Sequence, residues 1–513
     1  MVSIIRLLGV LLGAFLISAS PASVLAASQA SGKIAGTVVD QASGEPLPGA
    51  TVVIEGTTLG AAADVDGDYV IINVPPGVHT VRASMIGFAT VLQQDVRVSI
   101  DRTTRVDFSL GEEIIQGEEV IVTAVRPLVE VDRTTSISYI GAESIANLPV
   151  QEVKDLLELQ SGVAYDAQGR LHLRGGRSGE VAYLVDGIPV TNQYSGGSKI
   201  EIENSWIQEL QVISGVFNAE YGQAQSGVIN IVTKSGSVSN YSGSVGVYTG
   251  SYLTSHPEVF NGAERFRMDE YNLEASIEGP LSFLPGGSFF GNLRFVSDDG
   301  WLYGERRALI GDTVPIQQYI QEAQQSSSDL DNLVGIGIPD SLMSGDRSLV
   351  AMNPRQRLSG HGRVAFQPMK DLRGTYALFL NDQERKSYQD SRRFSPDGQP
   401  LTTERGANHL MSLTYSASAR TYVQLGLSYQ TNTQSRSLFS DPLDTRYQGS
   451  AYSANGFSFG GTSNSRGEAT NSTALAKLQV ESQVNGSNLV KAGGQLQFHR
   501  VEEFSQLTIS DGP

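Results

Sequence analysis

A chain of 513 residues is too long for one ordinary domain and implies about three. With 40% apolar residues and a formal charge of -17, it is neither a polytopic helical membrane protein nor a nucleic-acid binder, because phosphate binding needs a basic patch. The absence of cysteine removes disulfides, thiolate metal sites, cysteine nucleophiles and a lipoprotein anchor, while 55 glycines and 19 tyrosines suit a glycine-turned β protein.

Arg6 is followed by an apolar run from Leu7 to Ile17 and by small residues around Val24 and Ala26. The run is too short to cross a bilayer, which takes roughly 20 residues. Residues 1–26 are therefore expected to be a cleaved export signal. No later apolar run reaches spanning length, so any membrane crossing must be made by strands.

Residues 32–110 read as six or seven short strands separated by turn residues, the pattern of a small sandwich. The runs are Ile34 to Asp40, Ala50 to Glu55, Val70 to Ile72, His79 to Ser84, Val91 to Ile100 and Thr104 to Leu110. The pattern G-x-V-x-D, G-x-P-L-P-G-A-x-V, D-x-x-G-x-Y and V-P-P-G resembles the carboxypeptidase regulatory-like domain. That resemblance implies a carbohydrate-binding-like sandwich with no catalytic residues of its own, of the kind that precedes plug domains in SusC-like and related receptors. Asp64, Asp66 and Asp68 fail as a calcium loop. Tyr69 stands where a glycine is needed and Pro75 where a bidentate glutamate is needed, so the cluster is read as a turn around Gly67.

Residues 111–132 read as a linker. Within it Glu118, Glu119, Val120, Ile121, Val122, Thr123 and Ala124 form a β-prone run bounded by Gly117 and, further on, Pro127. A free extended segment of this kind suits strand addition to another protein's sheet edge. The other reading is a linker strand that pairs with the neighbouring sandwich or with the unit after it.

Residues 133–236 read as a small α+β unit: a short helix pattern at Val153, Leu156 and Leu157, then four short apolar runs closed by glycine or proline. Arg174, Gly175, Gly176 and Arg177, then Asp186 and Gly187, then Tyr221 and Gly222, then Gly227 to Lys234 with Asn230, follow one another in an order that resembles the plug domain of TonB-dependent outer-membrane receptors. By that resemblance Glu118–Ala124 corresponds to the TonB box. Gly175, Gly176, Gly179 and Gly187 allow tight reversals. Arg174 and Arg177 suit a polar barrel interior, and Asp186 before Gly187 reads as a hairpin turn with no catalytic role. Gln211 and Ser214 stand where vitamin- and siderophore-type members carry an acid and a basic residue. Part of the ion cluster that locks plug to barrel in those relatives is thus missing here, and so is support for a siderophore or cobalamin as cargo.

From residue 237 to 513 long runs alternate apolar with polar residues, the period-two signature of transmembrane strands. Nine runs qualify: Tyr241 to Tyr248, Tyr271 to Glu278, Phe289 to Val296, Leu358 to Phe366, Gly374 to Leu380, Leu410 to Ser416, Tyr422 to Tyr429, Ala474 to Val480 and Val490 to Phe498. Tyr248, Tyr376, Tyr415, Tyr422 and Tyr429 suit interfacial aromatic girdles. Trp301 to Arg357 and Ser435 to Glu468 are long and polar, as outer-face loops should be. Plugged transporters close with roughly 22 strands, so this stretch is expected to be the N-terminal part of a barrel.

The expected architecture is mainly β: an N-terminal β-sandwich, an α+β plug and part of a transmembrane antiparallel barrel. No nucleotide loop, zinc-protease helix or nucleophile elbow is present, so no catalytic site, metal site or cofactor is expected. The resemblance implies an outer-membrane receptor in a Gram-negative-type bacterium, with the sandwich in the periplasm. Its partners would be outer-membrane lipid, an imported ligand and a TonB-type energy-transducing protein that tugs the plug open; a SusD-like lid lipoprotein is compatible. The alternative function is a non-transporting surface binding protein or adhesin.

Overall fold

The computed structural model describes residues 31–507 apart from 58, 100–102, 113–118, 124–135, 167–168, 193–195, 216–220, 223, 258–259, 261, 264–265, 327–337, 419, 450–451, 455 and 485–487. The expected signal at residues 1–26 lies outside the described residues.

The first unit runs β1 (Gly32–Asp40), β2 (Thr51–Ile54), β3 (Gly60–Ala62), β4 (Asp68–Val74), β5 (Gly77–Ser84), β6 (Thr90–Val98), β7 (Thr103–Arg105), β8 (Phe108–Leu110) and β9 (Glu119–Thr123). Strand β1 takes β4 antiparallel on one side and β7 and β8 in parallel on the other, and the second sheet is ordered β3-β2-β5-β6-β9. Alternation drives the packing: Ile34 and Val38 on β1 point inward with Ile71, Val81, Val96 and Phe108. The buried Tyr69 keeps its hydroxyl satisfied by donating to the Val106 carbonyl at 2.6 Å. Asp64 accepts the amides of Asp66 (3.1 Å) and Asp68 (3.0 Å) around Gly67, so these acids build a turn. Among the described residues no cluster of acids and histidines could hold a metal.

The middle unit runs β10 (Ser136–Gly141), α1 (Ala142–Ala146), α2 (Val153–Glu158), β11 (Val163–Tyr165), β12 (Leu171–Leu173), β13 (Val181–Val185), β14 (Ile188–Pro189), β15 (Ile207–Ser214) and β16 (Gly227–Thr233). Its main sheet is ordered β10-β15-β16-β13-β14. Central β16 is buried at all seven residues, which is why Val228, Ile229, Ile231 and Val232 form an almost unbroken apolar run. Leu156 and Leu157 on α2 close the core.

The rest is a wall. Its long strands are β17 (Ser242–Gly250), β18 (Glu270–Leu281), β19 (Gly287–Asp298), β22 (Arg355–Met369), β23 (Leu372–Arg385), β24 (Leu401–Ser418), β25 (Thr421–Ser437), β28 (Ser465–Gln483) and β29 (Leu489–Leu507). They form one nine-stranded antiparallel sheet in chain order, covering all nine expected runs. Two small hairpins, β20 (Tyr303–Glu305) with β21 (Leu349–Ala351) and β26 (Tyr452–Ala454) with β27 (Phe457–Phe459), and the helix α3 (Thr313–Ser326) lie in the long connections. Short turns join the strands at one end of the sheet and the long connections lie at the other. Strands extend further into the long-connection end than the sequence pattern suggested. Arg355 and Arg357, expected in an outer loop, belong to β22, and Ser465 to Glu468 belong to β28.

The wall is apolar outside and polar inside. On β18 Asn272 is 1% exposed and its neighbour Leu273 is 46% exposed. Val247, Ile277, Leu293, Leu478 and Leu496 also face outward, whereas Asn292, Ser359, Asn408, Gln424 and Gln430 are buried against the middle unit. This inversion of the soluble pattern is the arrangement that a lipid-facing barrel requires. Tyr248, Tyr376, Tyr415 and Tyr429 are exposed as a girdle demands, but Tyr422 is buried, because alternation along β25 puts it on the inner face with Gln424 and Gln430, at the short-turn end beside Ser31 of the first unit. The first unit is fastened there: Lys33 Nζ donates to Gln483 Oε1 at 3.3 Å, and Arg373 Nη1 to the Asn73 carbonyl at 3.4 Å.

Leu273→Arg is expected to cost about 2–4 kcal/mol of stability in a bilayer, whereas Ser276→Arg on the inner face should cost far less. Urea denaturation in lipid vesicles measures both; equal losses would contradict the assignment of faces.

Candidate functional site

The middle unit is seated in the concave face of the wall by acids of its own and arginines of the wall. Glu203, which follows Glu201 at a spacing of two, is 1% exposed and lies at the centre. Its carboxylate pairs with Arg294 of β19, with Arg357 of β22 at 3.1 Å and with the Ser359 hydroxyl at 2.6 Å. Arg357 reaches Glu201 at 2.7 Å, and Arg355 reaches Glu152, just before α2, at 2.8 Å. Burial opposes the charge on Glu152, but Arg355 and Arg357 outweigh it and hold its carboxyl below the usual range. That contribution is present at neutral pH and is lost as pH falls through the depressed value.

A second contact lies at the turn between β13 and β14. Asp186 (φ 50°) and Gly187 (φ 77°) both adopt the left-handed conformation of a two-residue hairpin turn. The turn leaves the Asp186 carboxylate facing inward, where it accepts the Thr233 amide (2.9 Å), the Thr233 hydroxyl (2.8 Å) and Arg363 Nη1 (3.0 Å). Arg363 also donates to the Thr233 carbonyl at 2.9 Å. Asp186, expected only as a turn residue, is thus also an anchor.

Between the two charged contacts lies an apolar patch. Trp206 is fully buried, with ring centroids 5.7 Å from Phe379 and 5.1 Å from His361, and its indole N–H donates to Asn292 Oδ1 at 2.6 Å. Polar contacts complete the rim: Gln430 to the Pro189 carbonyl (3.0 Å), Lys477 to the Gly187 carbonyl (3.2 Å), Asn471 to Asn192 (2.8 Å) and Asn272 to Gln151 (2.9 Å). The seat thus combines hydrogen bonds and ion pairs with an apolar patch in which Phe290, Ala377, Phe379, Leu410 and Leu475 of the wall join the middle unit's core.

The expected site residues are dispersed. Arg174 (φ 48°) and Arg177 lie at an exposed turn after β12 with Gly175 and Gly176, away from the buried ion pairs. The arginines inside the seat belong to the wall, reversing the expected polarity. Nearby, His172 accepts a raised pKa because the Gly176 carbonyl and the Asp166 carboxylate hold its proton. Tyr221 packs on Ala182, Leu184, Ile213 and Val228, and Gly222 is exposed beside it. A Cβ on Gly227 would lie 2.0 Å from Leu173 Cδ2 and 2.7 Å from the Ile213 carbonyl, so β16 can enter only through a glycine. Asn230 Nδ2 donates to Gln211 Oε1 (3.1 Å), and Gln211 in turn donates to Glu209 (2.6 Å). Gln211 is thus bonded within its own unit, and Ser214 is buried on the same strand.

Glu119, Val120, Ile121, Val122 and Thr123 form β9, parallel to β6, in the register Thr90↔Glu119 to Gln94↔Thr123. The segment is paired with the sandwich, as in the linker-strand reading; Glu118 and Ala124 lie outside the described residues.

Sequence reasoning missed Glu152, Glu201, Glu203, Arg294, Arg355, Arg357 and Arg363. The available signal was parity: Arg355, Arg357 and Arg363 fall on the same face of one strand, and so do Ser359 and His361 between them.

Asp186→Asn and Arg363→Met should each cost about 3–5 kcal/mol, because each leaves a buried partner uncompensated. The double variant should lose at least ~1 kcal/mol less than the sum, measured by denaturant unfolding. Additive losses would mean that the two side chains do not act on one another. Gly227→Val should lower the unfolding midpoint more than Gly179→Val, whose Cβ meets nothing within 4 Å.

Residues 34–122 match the model of the CarboxypepD_reg-like domain, and residues 130–229 match that of the TonB-dependent Receptor Plug Domain. The chain is 30% identical over 258 residues to the TonB-dependent transporter Oar of Myxococcus xanthus, a match covering 47% of this chain and 23% of Oar. It is 28% identical over 216 residues to the TonB-dependent receptor SusC of Bacteroides thetaiotaomicron (39% and 21% of the two chains). It is 31% identical over 142 residues to the vitamin B12 transporter BtuB of Vibrio vulnificus (26% and 23%). The matching stretches thus span less than a quarter of each of these relatives. Among solved structures, the ferric enterobactin receptor PfeA of Pseudomonas aeruginosa superposes with a TM-score of 0.48 at 14% identity, over 71% of this chain and 49% of that one. The chain thus carries a carboxypeptidase regulatory-like domain ahead of a TonB-dependent receptor plug domain that is seated in a nine-stranded antiparallel wall, and in this it resembles the TonB-dependent receptors.

Proposed function

We propose that this protein imports a ligand across the outer membrane of a Gram-negative-type bacterium, energised from the periplasm by a TonB-type protein. The observation that carries the reading is the seat itself: four acids of the plug meet four arginines of the wall, and Asp186, Glu203, Arg294, Arg357 and Arg363 among them are almost wholly buried. A permanent stopper would be held more firmly by apolar packing. A polar seat is one that water can dissolve when the plug is drawn away.

In this reading residues 1–26 direct export, residues 32–110 form a periplasmic sandwich, and residues 111–132 contain the box at Glu118–Ala124. Residues 133–236 form the plug and residues 237–513 contribute wall strands to a lipid-embedded barrel. The short-turn end, with the sandwich on it, faces the periplasm. The long connections, with α3 and the two small hairpins, face outward and offer the surface for cargo and for a SusD-like lipoprotein. The relatives are named as transporters and receptors, and we assign no catalytic role to any residue.

Removing Glu118–Ala124 from the protein in its native host should leave binding of any cargo at the cell surface unchanged and reduce its accumulation to background. Radiolabelled candidate cargoes, compared between wild type and deletion, read both quantities. Unchanged accumulation would exclude energised import and favour a surface binder.

A further inference from the structure

Among the described residues of the three long connections of the wall, 299–354, 386–400 and 438–464, each connection is bonded to the other two. The first meets the second through its backbone: the amides of Glu305 (2.8 Å) and Ala308 (3.0 Å) donate to the carbonyls of Arg393 and Phe394. Arg306 adds a two-pronged pair with Asp397 at 2.7 and 3.1 Å. The second meets the third where the Ser463 amide donates to the Gly398 carbonyl at 3.0 Å and the Ser395 hydroxyl to the Ser458 carbonyl at 2.8 Å. The third returns to the first through the Gly461 amide, which donates to the Ile310 carbonyl at 3.0 Å. Phe394 is the hub, with its ring centroid 5.0 Å from Phe457 and 5.9 Å from Phe459 and the Arg307 guanidinium 4.4 Å over its face.

The resulting body is folded like a small domain, and Ala308, Ile316 and Met352 are wholly buried in it. Its attachment is broad. Six neighbouring strands of the concave wall, β19, β22, β23, β24, β25 and β28, run into it. A hinged lid turns about a few residues on one axis, and attachments spread along a curved row of six strands share no axis. The second connection overhangs a cavity of about 350 Å³. Ser387, Gln389 and Pro400 cover it, and Arg385, Thr402 and Gln434 of the inner face form its side. Asn432, one inward-facing position nearer the short-turn end than Gln434, donates to the Lys199 carbonyl, so the plug lies directly beneath.

We propose that the three long connections form one fixed roof, an extension of the wall, and that they neither part to admit cargo nor close on it afterwards. The cavity beneath is then shaped before any ligand arrives, and a preformed site loses less conformational entropy on binding. Selection there is by fit to fixed polar groups, among them the Arg385–Glu404 pair at 3.0 Å. Connections that moved separately would instead re-pack around many shapes. That a cargo uses the cavity rests on the import reading, whereas the rigidity of the roof does not.

The chain has no cysteine, so Thr402→Cys, at a position 9% exposed beneath the roof, reports access to the cavity with a single thiol. The purified full-length receptor in detergent, without cargo or partner, is treated with a small methanethiosulfonate or with a maleimide on a long polyethylene glycol chain. Each rate is taken relative to that of Leu443→Cys, at a position 86% exposed. The long reagent should label Thr402→Cys at least about tenfold more slowly than the small one. Equal relative rates would show the roof swinging or parting and would overturn the proposal. Hydrogen exchange reads the unity of the roof: Phe394→Ala should lower protection at the amides of Ala308, Gly461 and Ser463 together, by at least about tenfold. A loss confined to Ala308 would mean three independent connections and overturn it as well. Should Phe394→Ala fail to fold, Asp397→Asn, which weakens only the pair with Arg306, takes its place with the same expected pattern. No cargo enters these measurements, so failure of the roof leaves import standing, and failure of import leaves the roof.

Discussion

A carboxylate and a guanidinium that have both been taken out of water cannot easily be separated one at a time, and this constraint governs the molecule. Glu203 lies between Arg294 and Arg357, and Asp186 lies against Arg363, with every one of these side chains almost wholly buried. Loss of one partner leaves a bare charge in a dry interface, at a cost of several kcal/mol. The same contact opens cheaply if water enters with the separation, because both charges are then solvated. An apolar seat of equal area would have no such exit. The seat is accordingly firm while dry and labile once wet.

The wall imposes the complementary demand. Its outer face carries leucine, valine, isoleucine and tyrosine, so its inner face must carry the polar residues that a strand's alternation leaves over. Asn272, Asn292, Gln430 and Asn471 then need partners, which the plug supplies through Gln151, Trp206, Pro189 and Asn192. The two halves are thus fitted by hydrogen bonding more than by shape. Trp206 is the exception: it packs against His361 and Phe379, and Phe290 packs on His361 in turn.

Strand periodicity made the nine wall strands and both smaller units readable without coordinates, because alternation is local and the buried face repeats every second residue. The Asp186–Gly187 turn was equally readable, since two successive left-handed residues favour that pair. The anchors were not. Arg355 and Arg357 stand in a polar stretch that resembles loop, and only the continuation of β22 past it puts them on the inner face. Arg174 and Arg177 drew attention as charges beside glycines, yet glycine-rich turns are exposed for the same reason that they are flexible. Tyr422 broke the girdle pattern for a reason its own strand encodes: it shares parity with Gln424 and Gln430 on the inner face, whereas Tyr429, seven residues on, faces outward. The pairing of β9 with β6 joins segments 29 residues apart in sequence through backbone groups that every residue possesses, so nothing in the side chains announces it.

The order of the chain sets the order in which these contacts can be loaded. A pull arriving from before Ser136 enters the plug at β10, the edge strand of its sheet, which is held by β15 alone. Next come α1 and then the contacts of Gln151 and Glu152 with Asn272, Arg294 and Arg355. Asp186, Glu201 and Glu203 lie further along and hold the central strands. An edge strand separates from one neighbour, whereas β16 would have to leave β13 and β15 together. Tension delivered at the N-terminal edge therefore meets its weakest resistance first and the densest charge pairing last, so that part of the plug can yield while the remainder stays seated in the wall.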